Sequence, residues 1–450
     1  MKRAGWLATA VVLATAVAMA MSMKQSSDPA WDHQEKSYHV RFRPAVVERG
    51  SGEAAVFFSP DNSTSFLTEL VESADKSIDV GTPGFSSWIG CTYGGGCTVE
   101  EQRMNETFPI FAALVNALSA GKSVRILTND FGATPPAAGR IDPLTFLYLA
   151  GAEIRYYTST TFWHAKYISV DARTPDAATA FSSINFSETS FRKNREAGIR
   201  LSGEGVREVL DVAADVFDAD WDVALQFSPA HEYTPAELAV IRSKAALRVV
   251  VPPPEPFPGS YVATTKTVAL DEARVELVMS PDYTYETLKA ALDAARNTFV
   301  LYIYQVTDYD LCEWLGDFVE RDETELYLLV SDAIFAYDDY ELARGCYRFL
   351  TKRGARVQTT RRHLYSFSHQ KYWVVDNTTA WMSSGNWSPS DWPQYSGETL
   401  VPYNSSHGTW IQANRDFTLG ITDAAVVDAF LDVFDGDYWI GQQWVDDAGP

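Results

Sequence analysis

The chain reads as an α/β protein of two similar halves, packed about a pseudo-twofold axis with an active site at the seam. Three observations predict this. Apolar residues recur by turns at strand and helix spacing, the same series of segments occurs twice, and each series carries the same short run of His, Lys and Asp. Strands and helices alternating at that rhythm give a sheet covered by helices.

Taken in order, the chain opens with Met1-Lys2-Arg3 and an unbroken apolar stretch over 4–23. Residues 1–23 read as a secretory signal peptide, with Ala18-Met19-Ala20 as the candidate cleavage site. Left uncut, the stretch is long enough to span a bilayer as a signal anchor, with Lys2 and Arg3 cytoplasmic. The expected location is the secretory pathway: secreted, lumenal (lysosomal), or held as a single-pass type II membrane protein.

The first repeat is placed at 24–247. Phe57-Phe58-Ser59-Pro60-Asp61 precedes a helix whose buried face is marked by Leu67, Val71 and Ala74. A strand over 77–80, a helix over 110–120 and a strand over 124–128 follow. Gly151 then caps a helix that leads into another strand, and an acidic helix over 206–221 closes the half. The second repeat, 267–450, copies this. Val278-Met279-Ser280-Pro281-Asp282 precedes a helix marked by Leu288, Leu292 and Ala295, and Gly354 answers Gly151. Phe434-Asp435-Gly436-Asp437-Tyr438 echoes Phe217-Asp218-Ala219-Asp220-Trp221 in the closing helix. Between the halves, 248–266 holds Pro252, Pro253, Pro254, Pro256 and Pro258, a stiff connector. Two stretches break the symmetry, an aromatic, Gly-rich loop over 81–97 and a long segment between Asn386 and Asn414 containing Trp392, Tyr395, Tyr403 and Trp410. Both are candidate pocket walls, since loops on a rigid scaffold carry specificity.

The chemistry lies in His164-Ala165-Lys166 with Asp171, and in His369-Gln370-Lys371 with Asp376. Tyr167, Ile168 and Val170, like Tyr372, Trp373, Val374 and Val375, have strand character, so each His is expected to share a strand face with its Lys. Asp171 and Asp376 stand at odd spacing where the strand should turn, and read as structural hairpin residues. Each motif is trailed by Ser182-Ser183-Ile184-Asn185 or Ser383-Ser384-Gly385-Asn386. Together the two copies offer two imidazoles, two ammoniums and neutral donors, a set suited to a phosphate diester. One His can attack phosphorus while the other protonates the leaving oxygen. Lys166, Lys371, Ser183, Asn185, Ser384 and Asn386 would then bind the phosphate oxygens. Fixed cations of this kind take the place of a metal ion, so neither metal nor other cofactor is expected.

The pair of motifs resembles the phospholipase D superfamily, whose signature is HxKxxxxD followed by GSxN. The resemblance spans most of 56–439 and departs at Ser182 and Ser383, where the family has Gly. It implies a phosphohistidine intermediate, with His164 as nucleophile and His369 as general acid. It also implies an acid after each motif that holds the His of the opposite half, which falls on Glu196 and Asp416.

Cysteine usage fits an oxidising compartment. Cys91 with Cys97 and Cys312 with Cys346 are the expected pairs among three connectivities. Sequons stand at Asn62, Asn105, Asn185, Asn377, Asn386 and Asn404. A chain of 450 residues, 46% hydrophobic, can bury a large core, and its net charge of −22 argues against an extended duplex-binding face. Four functions remain open. Hydrolysis at a phospholipid headgroup leads, with possible membrane association. The layout also resembles animal lysosomal superfamily members that degrade single-stranded nucleic acid from the 5′ end. A cardiolipin hydrolase and a degenerate phosphate-binding module complete the set, and oligomeric state stays open.

Overall fold

The computed structural model describes residues 42–85, 109–130, 141–157, 161–229, 233–245, 263–396, 399–400, 403–405, 408–410 and 413–446. Residues 1–23, Cys91, Cys97, most of the Pro-rich connector and the tips of both asymmetric loops lie outside them. Among the described residues no helix is long and apolar enough to cross a membrane.

One mixed sheet of sixteen strands runs through both halves. The first half supplies β1 (Ala45–Ser59), β2 (Ser77–Gly81), β3 (Ser123–Thr128), β4 (Glu153–Tyr156), β5 (Tyr167–Val170), β6 (Ala178–Ser182), β7 (Glu196–Ser202) and β8 (Leu225–Gln226). The second supplies β9 (Lys266–Met279), β10 (Thr298–Ile303), β11 (Glu325–Val330), β12 (Arg356–Thr359), β13 (Lys371–Val375), β14 (Thr379–Ser383), β15 (Phe417–Thr422) and β16 (Gln442–Gln443). Their order is β16-β12-β11-β10-β13-β14-β15-β9-β1-β7-β6-β5-β2-β3-β4-β8. Read from the middle outward, each strand of one half meets its counterpart in the other, which is the expected pseudo-twofold arrangement.

The seam differs from expectation in detail. The antiparallel pair β1–β9 joins the halves, and the motif strands β5 and β13 each lie three strands away from it. What brings the motifs to the seam is the backbone just before those strands. Thr161–Trp163 pairs in parallel with Ala413–Arg415 of the other half, and Arg195 bridges to Ser368.

Alternation along the strands divides the core. Val56 and Phe58 face one layer while Phe57 faces the other, and Val300 and Tyr302 are split in the same way from Phe299, Leu301 and Ile303. The shared layer packs under α4 (Arg207–Val223) and α8 (Ala424–Ile440), through Val209, Ala213, Phe217, Val427, Phe430 and Phe434. On the opposite face each half has its own cover. In the first half it is α1 (Ser63–Ser73), α2 (Pro109–Ser119) and α3 (Pro143–Ala150); in the second, α5 (Thr284–Ala294), α6 (Tyr309–Val319) and α7 (Tyr337–Lys352). Gly151 adopts φ 114° and caps α3 as expected, while Gly354 takes φ 93° just past α7. Cys312 and Cys346 form a disulfide between α6 and α7. Trp392 corrects the pocket-wall expectation: it is buried against Trp373 and donates its indole N–H to Asn386 O at 2.6 Å.

Candidate active site

His164 and His369 sit in irregular backbone just ahead of their strands, where the sequence places them on the strands themselves. The cause is the other half of the chain. His164 N–H and Ala165 N–H both donate to Arg415 O, at 2.9 and 2.7 Å, and His369 N–H donates to Arg195 O at 2.8 Å. Each histidine is therefore pinned by the residue that precedes the opposite half's acid. Lys166 and Lys371 fold back so that each ammonium donates to its own motif's His carbonyl, 2.9 Å in the case of Lys371. Each ammonium thus spends one N–H on the chain and has two left.

The acids lie where the resemblance puts them. Asp416 Oδ1 is 2.8 Å from His164 Nδ1, and Glu196 Oε2 is 3.0 Å from His369 Nδ1. An acid on Nδ1 selects the tautomer that leaves Nε2 free for chemistry. Ser183 and Ser384, expected to bind phosphate, turn toward the acids. Both are fully buried and donate to the acids, Ser183 Oγ to Glu196 at 2.7 Å and Ser384 Oγ to Asp416 at 2.6 Å. The physical reason is the turn after β6 and β14, which aims Oγ at the following strand: Ala197 N–H and Phe417 N–H in turn donate to these hydroxyls. Ser182 and Ser383, standing where the family has Gly, accept from Ile184 N–H and Gly385 N–H and so brace the same turns. Asn185 and Asn386 are half-buried beside the histidines' turns.

Asp171 and Asp376, expected as hairpin residues, each hold three backbone N–H groups at a strand end. Asp171 accepts from the backbone N–H of Asp75, Lys76 and Ser77, and Asp376 from Arg296, Asn297 and Thr298. Both take φ 49° at the strand end, a left-handed turn that Asp tolerates. These bonds, against the opposing effect of burial, hold the Asp171 carboxyl below the usual range.

Burial dominates the electrostatics. Desolvation, then the Lys166 charge, pushes His164 well below its ordinary value. Burial brings His369 down to about 4 despite Glu196. Burial lowers Lys166 to about 8 and, with the charge of Lys166 added, Lys371 to about 7. Both imidazoles are therefore neutral at rest. Glu196 stays ionised, because His369 and Lys371 outweigh its burial.

Several participants were not singled out from sequence. Arg195 and Arg415, buried side by side with the acids, each reach the opposite half. Arg195 pairs with Asp61 and with Asp437 on α8 (2.7 Å), and Arg415 with Asp220 on α4 (2.8 Å) and Asp282 (3.8 Å). The repeated Ser-Pro-Asp and Phe-Asp-x-Asp strings were the available signal. Asp391 also approaches His164 Nδ1, at 3.6 Å. On the other side an aromatic track leaves His369: Tyr304 and Phe367 lie 5.3 and 5.8 Å from its ring, and Phe335, 4.8 Å from Phe367, is 44% exposed.

His164, Asp391 and Asp416 keep their ligand-type atoms within 4.8 Å. As a metal centre the set fits poorly, because the Lys166 and Lys371 charges act on the same carboxylates and on His164. A divalent ion there would meet two fixed cations.

A family model described as "Cardiolipin synthase, PLD-like domain" matches residues 67–221 and 288–437, one stretch in each half. The chain is similar in structure to phosphatidylserine synthase of Haemophilus influenzae Rd KW20, with TM-score 0.54 and 12% identity, over 86% of this chain and 87% of that one. It also matches polyphosphate kinase of Porphyromonas gingivalis, with TM-score 0.47 and 12% identity, over 85% of this chain and 50% of that one. A third match is Nuc of Salmonella typhimurium, a phospholipase D family member, with TM-score 0.29 and 18% identity, over 41% of this chain and 99% of that one. No curated protein matches the chain by sequence.

Proposed function

The chain belongs to the PLD-like domain family, and from that membership we propose that it hydrolyses phosphodiesters through a covalent phosphohistidine. The observation that carries the reading is the crossed pairing of each motif histidine with an acid of the other half. Such a pairing leaves two Nε2 atoms free to act in sequence.

His164 Nε2 attacks phosphorus, and the bond to the leaving oxygen breaks as that oxygen takes a proton from His369 Nε2. Neutral His369 then removes a proton from water, whose oxygen attacks phosphorus and releases His164. Two displacements on one phosphorus give retention. Because both imidazoles are neutral at rest, His369 takes up its proton from solvent as the substrate binds, the negative charge of the diester favouring imidazolium. Lys166 and Lys371, with Asn185 and Asn386, neutralise the non-bridging oxygens.

For the substrate, a phospholipid headgroup ester is the first reading, and the apolar stretch over 4–23, read as a secretory signal, supports a lumenal or extracellular enzyme. A second reading, the 5′ end of a single-stranded nucleic acid, is favoured by the Tyr304–Phe367–Phe335 track. A row of rings from the reacting group to solvent suits a stacked base. The test is to incubate the purified chain with phosphatidylcholine vesicles and, separately, with a 5′-hydroxyl single-stranded oligonucleotide, each with and without EDTA. Choline release that survives EDTA is the expected result. Nucleotide release alone transfers the reading to nucleic acid, and activity lost on chelation and regained with zinc or magnesium overturns the mechanism.

A further inference from the structure

The two histidines have unequal backing. Behind His369 stands Glu196 at 3.0 Å, whereas behind His164 stand two carboxylates, Asp416 within hydrogen-bond reach at 2.8 Å and Asp391 further off at 3.6 Å. Asp391 is 1% exposed and tightly held. Its Oδ2 accepts from Asn386 N–H at 2.9 Å and Ser388 Oγ at 2.5 Å, and its Oδ1 from the Asn414 amide at 2.5 Å.

The chain makes room for this carboxyl. Counted from the Ser-Ser-x-Asn run, Asp391 corresponds to Ser190 in the first half, and Gly385 to Ile184. A Cβ on Gly385 would lie 2.9 Å from Asp391 Cβ and 3.2 Å from Asp416 Oδ2. A large residue with a small one in the first half has thus become no side chain with an acid in the second. Asp416 Oδ2 is buried with no hydrogen-bond partner among the described residues, and carboxylate oxygens of Asp391 and Asp416 lie within 4.8 Å of each other.

Resting on the phosphohistidine reading above, we propose that Asp391 is a positioning residue which shares one proton with Asp416 and, by holding or releasing it, sets how strongly His164 attacks. With the proton in place the pair is singly negative. When it leaves to solvent the pair becomes doubly negative, pulls harder on the Nδ1 proton of His164, and makes Nε2 the stronger nucleophile. The groups that face Asp391 are His164, Asp416, Lys166, Lys371 and Asp339. Burial, then the Asp416 charge, raises Asp391 to about 7, while burial raises Asp416 against the pull of Lys166. The release therefore belongs to the acid limb of the activity profile, and loss of charge on the lysines to the alkaline limb. A folded-state carboxyl raised in this way also favours the fold below its own titration and disfavours it above, so the pair is retained at some cost in stability at high pH.

The test is kcat/KM against pH for bis(4-nitrophenyl) phosphate, in wild type, Asp391→Asn and Asp391→Ser, with thermal melts of each. Serine already fills this place in the first half. Both variants should fold and, with no second carboxyl to release the proton, should lose this acid limb and keep a kcat/KM no higher than the wild type's below it. An unmoved limb in active, folded variants overturns the inference, as does failure of both to fold, which would make Asp391 a folding residue. Wild type inactive on every diester would instead remove the reading beneath it.

Discussion

His164 and His369 occupy matching places in matching halves, yet their surroundings have diverged. Each is pinned by a backbone bond from the opposite half and each has an acid on Nδ1. Beyond that, His369 opens onto Tyr304, Phe367 and Phe335, while His164 is closed in by Asp391 and Asp416. The comparison teaches how the two copies of a duplicated fold can diverge at one place. Two similar halves give two imidazoles in register, and under the proposed two-step reaction an attacking base and a departing-group acid need different environments, which a difference such as Ser190 against Asp391 would supply.

The largest effect that would break the comparison lies in the crossed ion pairs. If the halves hold each other as the Arg195–Asp437 and Arg415–Asp220 pairs indicate, Arg195→Met or Arg415→Met strands a buried carboxylate in the other half. Each should cost about 3–5 kcal/mol, read as a shift in the denaturant midpoint of a single transition. Two separated transitions in either variant would show halves that fold independently.

Smaller effects are expected at the paired turns. Asp171→Ala and Asp376→Ala each leave three backbone N–H groups without their carboxylate, a loss of about 1–3 kcal/mol. Both should keep the wild-type kcat on an activated diester. A collapse of kcat in either, without loss of fold, would give that Asp a catalytic part that its distance from the reacting atoms denies.

Much of this was legible in the sequence because the chain repeats itself. The eight-residue motifs follow from matching one copy against the other, the hairpin reading of Asp171 and Asp376 from their odd strand spacing, and the flanking acids Glu196 and Asp416 from the family resemblance. What escaped did so for physical reasons. Asp391 has Ser190 as its counterpart, so comparing the copies erases it. Arg195 and Arg415 stand in both copies, but their partners lie on the opposite half's closing helix, a relation that only the crossing of halves creates. The turn of Ser183 and Ser384 toward the acids escaped because i, i+2 spacing predicts a shared face only while the strand stays regular, and here the strand ends in a turn. Trp392 sits in a stretch without a first-half counterpart, so nothing in the repeat distinguished a core anchor from a loop aromatic.

The central claim, that equal-looking histidines divide the work, is tested most directly by trapping the intermediate. His369→Ala is incubated with bis(4-nitrophenyl) phosphate, whose leaving group departs unaided, then quenched with alkali and mapped by mass spectrometry. A 4-nitrophenyl-phosphoryl group should be found on His164, formed with one equivalent of nitrophenolate and slow to hydrolyse because the base for water is gone. His164→Ala should give neither adduct nor burst, while the alkyl-ester activity of His369→Ala should fall by about 10²–10⁴-fold, the worth of a general acid. An adduct on His369 in the His164→Ala chain, with none on His164 in the reciprocal variant, would contradict the account.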